Sequence, residues 1–536
     1  MTPTRRNSEI EGRSYKEYAY SPVPESSSSA VYESTTNPKQ SILFRAGIHD
    51  YQELNGVGQK WRAKDMEKGS TILQYVAAAA GNLCTLATGA MLGWTSPTFP
   101  KLEKIPVADD NPLGEPITSD QSSWIGSLVA LGAMFGCFLA GHLSEKWGRK
   151  RSLLFSVVPF TIGWALIGTA RSVVQLYIAR FIFGIALAFP FTVLPMYVGE
   201  IAETSVRGAL GSFLQLFITF GLLFAYAIGP YVSYTVFWII SACLPIIFFL
   251  CFMTMPESPY YLLRQGQRED AIAALARLRS KTHAGVQKEA DEMQASVEEA
   301  FRNQASISDL FSEKANFKAL LLTCALAGFQ QLTGINVVLF YMENIFIAAE
   351  VTAFSTSVAT IIVAIVQVLA SAVTPIVVDR LGRKILLILS GVGEIVTLGA
   401  LGLYFYLQKN NSADGLSWLP VMSLVVFIAT YCVGWGPLPW TVMGEMFASN
   451  VKSKASSITV CICWLLAFFI TKFSSNLNET FGMYTLFWCF SVCCLISVFF
   501  TIFLLPETKG KSLQEIQDEL NGVKPSIPEF SGSMKK

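Results

Sequence analysis

Five long stretches of this chain contain no charged residue: 152–170, 209–256, 351–378, 415–444 and 480–506. A helix needs about 20 apolar residues to cross the hydrocarbon core of a bilayer. Each stretch meets or approaches that length, and the second is long enough for two crossings. Only 15% of the 536 residues are charged and 52% are hydrophobic, whereas a soluble chain carries about a quarter charged residues. Because the charge deficit falls in blocks, the chain reads as an all-α polytopic membrane protein.

Twelve spans are expected, at about 71–95, 121–143, 152–170, 173–198, 209–231, 234–254, 317–343, 354–377, 385–407, 417–442, 455–473 and 482–505. They divide the chain into an N-terminal six-helix half over 71–255 and a C-terminal half over 317–506. A charged cytosolic linker at 256–316 joins them, with amphipathic helices expected at 271–279 and 289–302. Residues 1–70 are polar, rich in Ser, Thr, Pro and charge. They read as a disordered cytosolic tail with no cleavable leader, and 507–536 reads as a second cytosolic tail. If both termini and the linker share one side, that side holds 34 of the 40 Lys and Arg residues. The opposite loops hold Lys101, Lys104, Arg171, Lys409 and Lys472, and Arg180 is left inside a span, so the crowded side is expected to be the cytosol. The sequons at Asn410 and Asn478 then fall outside, where glycosylation is expected.

Several function classes drop out. A net charge of +1 gives no electrostatic basis for binding nucleic acid. The eleven cysteines all fall in expected spans and lack metal-ligand spacing, so neither a disulfide framework nor a metal site is expected. No phosphate-binding glycine loop, cofactor motif or nucleophile–base pair stands out, so no enzyme activity and no cofactor is expected.

The two halves repeat. Glu145-Lys-Trp-Gly-Arg-Lys is echoed by Asp379-Arg-Leu-Gly-Arg-Lys 234 residues later, Gly199-Glu-Ile by Gly444-Glu-Met at 245, and Pro256-Glu-Ser-Pro by Pro506-Glu-Thr-Lys at 250. Two repeated halves place a solute site near the bilayer midplane, where the halves meet. The seventh span carries unusual cargo for that position, Gly328-Phe-Gln-Gln-Leu-Thr-Gly-Ile-Asn336. Amides are costly in hydrocarbon unless paired. The side chains of Gln330, Gln331 and Asn336 match sugar hydroxyls without the cost of burying a charge. On an unbroken helix Asn336 would lie about 140° round from Gln331, so convergence on one ligand calls for unwinding near Thr333-Gly334. Interhelical bonding is the alternative use of these amides.

These motifs together resemble the sugar porters of the major facilitator superfamily, and Gln121-Ser-Ser-Trp-Ile-Gly, Trp94-Thr-Ser-Pro and the tail from Pro506 look most like its facilitated trehalose transporters. The resemblance covers roughly 71–520. It implies that Gln215, Gln330, Gln331, Asn336, Gln367, Trp440 and Trp464 bind substrate, and that Phe340 and Tyr341 form an outer gate. It also implies an inner network of Arg149, Glu200 and Arg207 in one half, with Arg383, Glu445 and Lys452 in the other. Cys432, Cys463 and Ala467 stand where glucose-carrying relatives have Glu, Asn and Asn, and Gln367 takes a further Asn position, which leaves room for a disaccharide. The first span has no Asp, Glu or His, whereas proton-coupled relatives carry an Asp there. Glu394 is an intramembrane acid without a family counterpart.

The expected protein is thus a plasma-membrane uniporter for an uncharged sugar, trehalose first, with both termini cytosolic and the lipid bilayer as its other partner. A hexose uniporter, a proton-coupled symporter and a non-transporting sugar sensor are the alternatives.

Overall fold

The computed structural model describes residues 69–522, apart from 303–306, 353–354, 414, 448 and 512. The expected N-terminal tail and the end of the C-terminal tail lie outside the described residues. Helices account for all regular structure among the described residues. Twelve are long and apolar enough to cross a bilayer. The first six are α1 (Ile72–Glu103), α2 (Ser119–Trp147), α3 (Arg149–Gly168), α4 (Val173–Ile201), α5 (Arg207–Tyr231) and α6 (Tyr234–Phe252). Four shorter helices follow: α7 (Pro259–Arg264), α8 (Arg268–Arg279), α9 (Gln287–Arg302) and α10 (Ile307–Ser312). The second six are α11 (Lys314–Ala348), α12 (Thr356–Val378), α13 (Arg383–Lys409), α14 (Leu419–Met446), α15 (Lys454–Phe481) and α16 (Met483–Phe503). A final helix, α17, covers Leu513–Asn521.

Apolar side chains such as Phe138, Leu250, Leu369 and Val396 are exposed along the spans, as a lipid-facing surface demands. The opposite helix faces pack inward. Within the halves α2 lies on α4, α1 on α5, and α13 on α16; between them α2 meets α15 and α5 meets α12.

The short helices α7, α8 and α9 gather around their own small core of Leu263, Ala271, Leu275, Val286 and Met293. Arg279, buried at the end of α8, ties this layer to the N-terminal half. Its guanidinium pairs with Glu289 at 2.7 Å and Glu203 at 3.3 Å and donates to the Ile201 carbonyl at 2.7 Å. Helices α10 and α17 pack instead on α11 of the C-terminal half. This end of the molecule is called the linker end below.

The repeated motifs fold into matching cages at the linker end. Gly148 and Gly382 turn the chain with φ of +94° each. Immediately after them, the backbone N–H groups of Arg149 and Lys150 donate to Glu257, and those of Arg383 and Lys384 donate to Glu507, all at 3.0–3.1 Å. The Arg149 side chain then pairs with Glu200 and the Arg383 side chain with Glu445, each at 2.9 Å. Ser258 and Thr508 close the cages by donating their hydroxyls to Glu200 and Glu445.

The two cage acids differ in environment. Burial pushes the Glu257 carboxyl above the usual carboxylate range, against the N–H donors of Lys150, Ser258 and Arg149. Burial acts the same way on Glu507, but the N–H groups of Lys509, Lys384, Arg383 and Thr508 outweigh it and hold that carboxyl low. A depressed folded-state pKa stabilises above the unfolded value and is lost as pH falls through the folded one. Glu507→Gln should therefore lower the thermal midpoint at neutral pH, and the gap to wild type should close on acidification. Thermal unfolding in detergent across the carboxylate range checks this; a gap independent of pH would count against it.

Candidate functional site

The long span α11 is two helices, Lys314–Leu332 and Ile335–Ala348. The hinge is Gly334, with φ +79°, a region that favours glycine. A Cβ there would also lie 2.4 Å from the Phe490 ring. The expected unwinding is present, and it brings the amides together: Asn336 Nδ2 donates to Gln331 Oε1 at 2.7 Å. Gln331 Nε2 in turn points at Cys463 Sγ, 3.1 Å away on α15.

Gln330 faces a second break. Span α14 is divided into Leu419–Val433 and Leu438–Met446. Pro439 has no N–H to give the Trp435 carbonyl four residues earlier. Gln330 Nε2 supplies the missing donor, reaching Trp435 O at 2.8 Å and Gly436 O at 2.7 Å. The amide nitrogen of Gln330 thus joins two helices, while Gln331 and Asn336 form a separate amide pair at the α11 hinge.

The other expected contacts are more dispersed. Gln215 is partly exposed on α5, and Gln367 is buried on α12, the helix that packs against α5. Gln367 Oε1 has no hydrogen-bond partner among the described residues, and Ser371, one turn further along, meets the Cys432 thiol of α14. The i,i+4 spacing of Ser371 from Gln367 is the signal by which the sequence marks it. Trp440 is half-buried just after the α14 break. Trp464 on α15 meets Phe191 of the other half edge-on, at 5.9 Å between ring centres.

At the end opposite the linker the halves are bonded together. Tyr341 Oη donates to the Ser122 carbonyl at 3.0 Å, and Tyr226 Oη to the Leu339 carbonyl at 2.6 Å. Phe340 is buried, with the Arg180 guanidinium 5.8 Å from its ring centre. Arg180 itself is fully buried and held by backbone carbonyls, Ile125 O at 2.9 Å and Met91 O at 3.0 Å, rather than by an acid.

Lys472, expected in an outer loop, lies inside α15 because that helix continues to Phe481. Its ammonium pairs with Asp120 of the other half, donates to Ser123 Oγ at 2.9 Å, and sits 4.8 Å from the Trp124 ring centre. Nothing in its immediate sequence marks that role; the partners are about 350 residues away.

At the linker end the six expected gate charges stay within their own halves. Arg149 pairs with Glu200 and Arg383 with Glu445. Arg207 donates to the Ala202 carbonyl at 3.4 Å and Lys452 to the Gly444 carbonyl at 2.7 Å. Of the two sequon asparagines, Asn410 lies in an exposed turn after α13, whereas Asn478 lies within α15 and is half-buried.

Residues 68–520 match the family model described as "Sugar (and other) transporter". The chain belongs to the sugar transporter family. It is a transporter rather than an enzyme. Similar curated proteins include the facilitated trehalose transporter Tret1 of Bombyx mori, 34% identical over 448 residues, covering 83% of this chain and 86% of that one. The facilitated glucose transporter member 8 of solute carrier family 2 from Mus musculus is 36% identical over 466 residues, covering 84% and 94%. Among solved structures, the inward-open xylose transporter XylE of E. coli superposes with a TM-score of 0.68 at 22% identity, over 84% of this chain and 100% of that one. That likeness establishes the major facilitator fold.

The bridge at Lys472 carries a direct consequence. Asp120 is 63% exposed, so removing its partner leaves it solvated, and loss of the pair should cost closure about 1 kcal/mol. In Lys472→Ala, a cysteine placed at Ser122, which is buried and bonded through its carbonyl to Tyr341, should react severalfold faster with a membrane-impermeant maleimide than in the wild-type background. Equal rates would mean the pair does not hold this end shut.

Proposed function

We propose that this chain carries an uncharged sugar, trehalose in preference, across the plasma membrane by facilitated diffusion. The observation that carries this reading is the paired amides of Gln331 and Asn336, joined at 2.7 Å across the Gly334 hinge. Amides with unspent donors and acceptors, Gln331 buried and Asn336 half-buried, suit sugar hydroxyls, and a broken helix is where transporter folds place their ligands. Gln215, Gln330, Gln367, Trp440 and Trp464 complete the site in this reading. A disaccharide fits the loss of polar groups at Cys432, Cys463 and Ala467, and the named trehalose transporters among the relatives support it.

The linker end is assigned to the cytosol, on the balance of Lys and Arg. Phe340 and Tyr341 then serve as the outer gate, closed here by Tyr341, Tyr226 and Lys472. The inner charges Arg149, Glu200, Arg207, Arg383, Glu445 and Lys452 exchange partners across the halves when the inner side shuts. Transport is a rocking of the two halves between these states. Glycosylation is assigned to the exposed Asn410 first and to Asn478 second.

Uniport is favoured over proton symport because Arg180 is held by carbonyls, and α1 offers it no acid along residues 72–102. Hexose uniport is the second reading, favoured by the 36% identity to the facilitated glucose transporter.

Uptake of labelled trehalose and glucose, measured in parallel at two external pH values, separates these readings. Trehalose should enter faster, equilibrate without accumulating, and respond little to the pH gradient. Gln331→Ala should cut uptake about tenfold or more at normal surface expression, as expected for losing one or two buried hydrogen bonds to the ligand. Unchanged uptake in that variant would sink the amide-site model.

A further inference from the structure

Glu394 is fully buried on α13, outside the sugar site described above. Among the described residues it forms no ion pair with Lys, Arg or His. From its own helix it faces Ser390, from α16 it faces the Cys494 thiol at 3.6 Å, and from α14 the Tyr431 phenol and the Cys432 thiol lie near.

The protons around Ser390 can be counted. Its Oγ lies 3.0 Å from Glu394 Oε1 and 2.7 Å from the Thr430 carbonyl oxygen, and it accepts the Trp435 N–H at 3.2 Å. Two of these are oxygen–oxygen contacts at hydrogen-bond distance. A hydroxyl has one proton to give, and a proton shared between two acceptors bonds each more weakly. The carbonyl has none, so a proton on Glu394 is what gives both contacts a full hydrogen bond. With Glu394 neutral, Ser390 donates to Thr430 O and accepts from both Trp435 N–H and the Glu394 hydroxyl. Every member is then satisfied.

Ser390 is also the link to the α14 break. The residue whose N–H it accepts, Trp435, offers the carbonyl that binds Gln330 Nε2 at 2.8 Å. Gln330 Oε1 in turn lies 3.5 Å from Gln331 Nε2. A chain of hydrogen bonds therefore runs from Glu394 through Ser390 and the α14 break to the amides at the α11 hinge.

We propose that Glu394 is a protonated positioning residue, which fixes the α14 break through Ser390 and so sets the orientation of Gln330 beside the substrate amides. It does not touch the sugar and does not release its proton during transport. The proposal rests on the reading of Gln331 and Asn336 as the sugar site.

The test uses the purified full chain in proteoliposomes. Glu394→Ala and Ser390→Ala should raise the KM for the transported sugar about three- to tenfold, the range for one lost buried hydrogen bond, with the maximal rate little changed. Glu394→Gln should restore the KM, since a carboxamide donates to Ser390 and accepts from Cys494 as a carboxylic acid does. Its pH profile should match that of wild type. Infrared spectra should show a protonated carboxyl band in wild type at neutral pH that is missing in Glu394→Gln.

An absent band overturns the proposal, and so does a KM in Glu394→Gln as high as in Glu394→Ala. Loss of pH-driven accumulation in Glu394→Gln also overturns it and makes Glu394 a coupling acid. If wild type moves no sugar, the uniport reading falls by itself; the infrared band, which needs no sugar, still decides the state of Glu394.

Discussion

Backbone carbonyls inside a bilayer have no water to bond, so a helix can be interrupted there only where protein supplies the missing donors. The two interruptions in the C-terminal half meet this demand together. The α14 break, made by prolines at 437 and 439, leaves carbonyls that the side chain of Gln330 satisfies. The α11 break at Gly334 lets Asn336 reach Gln331. Had either helix run unbroken, the amides would point to different neighbours. The arrangement of the amides thus depends on two helix defects that compensate one another.

The same half-by-half logic governs the ends of the molecule. Each half closes its own cage of Arg, Glu and hydroxyl at the linker end, so its charges there are satisfied internally. Among the described residues the bonds between halves lie at the far end, where Tyr226, Tyr341 and Lys472 are joined by Asn344 with Glu103 and by the Glu343 N–H with Ser96. Halves that satisfy their own charges at one end and share bonds at the other suit a rocking motion. Arg180 contributes from beneath, its charge spread over carbonyls and the rings of Trp94 and Phe340.

Much of this was legible in the chain. Twelve spans, the six-and-six division and the linker helices follow from apolar block length and from motif spacing, because a bilayer filters sequences by hydropathy. The hinge at Thr333-Gly334 was legible too, since the helical period cannot bring Gln331 and Asn336 onto one side. Gln330 was less so. It shares a sequence pattern with Gln331, yet its nitrogen is spent on the Trp435 and Gly436 carbonyls, and only the neighbouring break on another helix reveals that. Lys472 read as a loop charge because helix ends carry no sharp signal when polar residues continue the helical period past the membrane edge.

Sequence alone determined what each span is made of: where it is apolar, where an amide or an acid interrupts it, and which motifs recur in the two halves. Those are one-dimensional properties, set by solvation and by backbone chemistry. The tertiary structure decided which interruptions face each other, that Lys472 bridges to Asp120, and that Glu394 shares the Ser390 hydroxyl with the Thr430 carbonyl. Partners of this kind lie tens to hundreds of residues apart. Their hydrogen-bond balance is defined only once packing sets distances to within a fraction of an ångström.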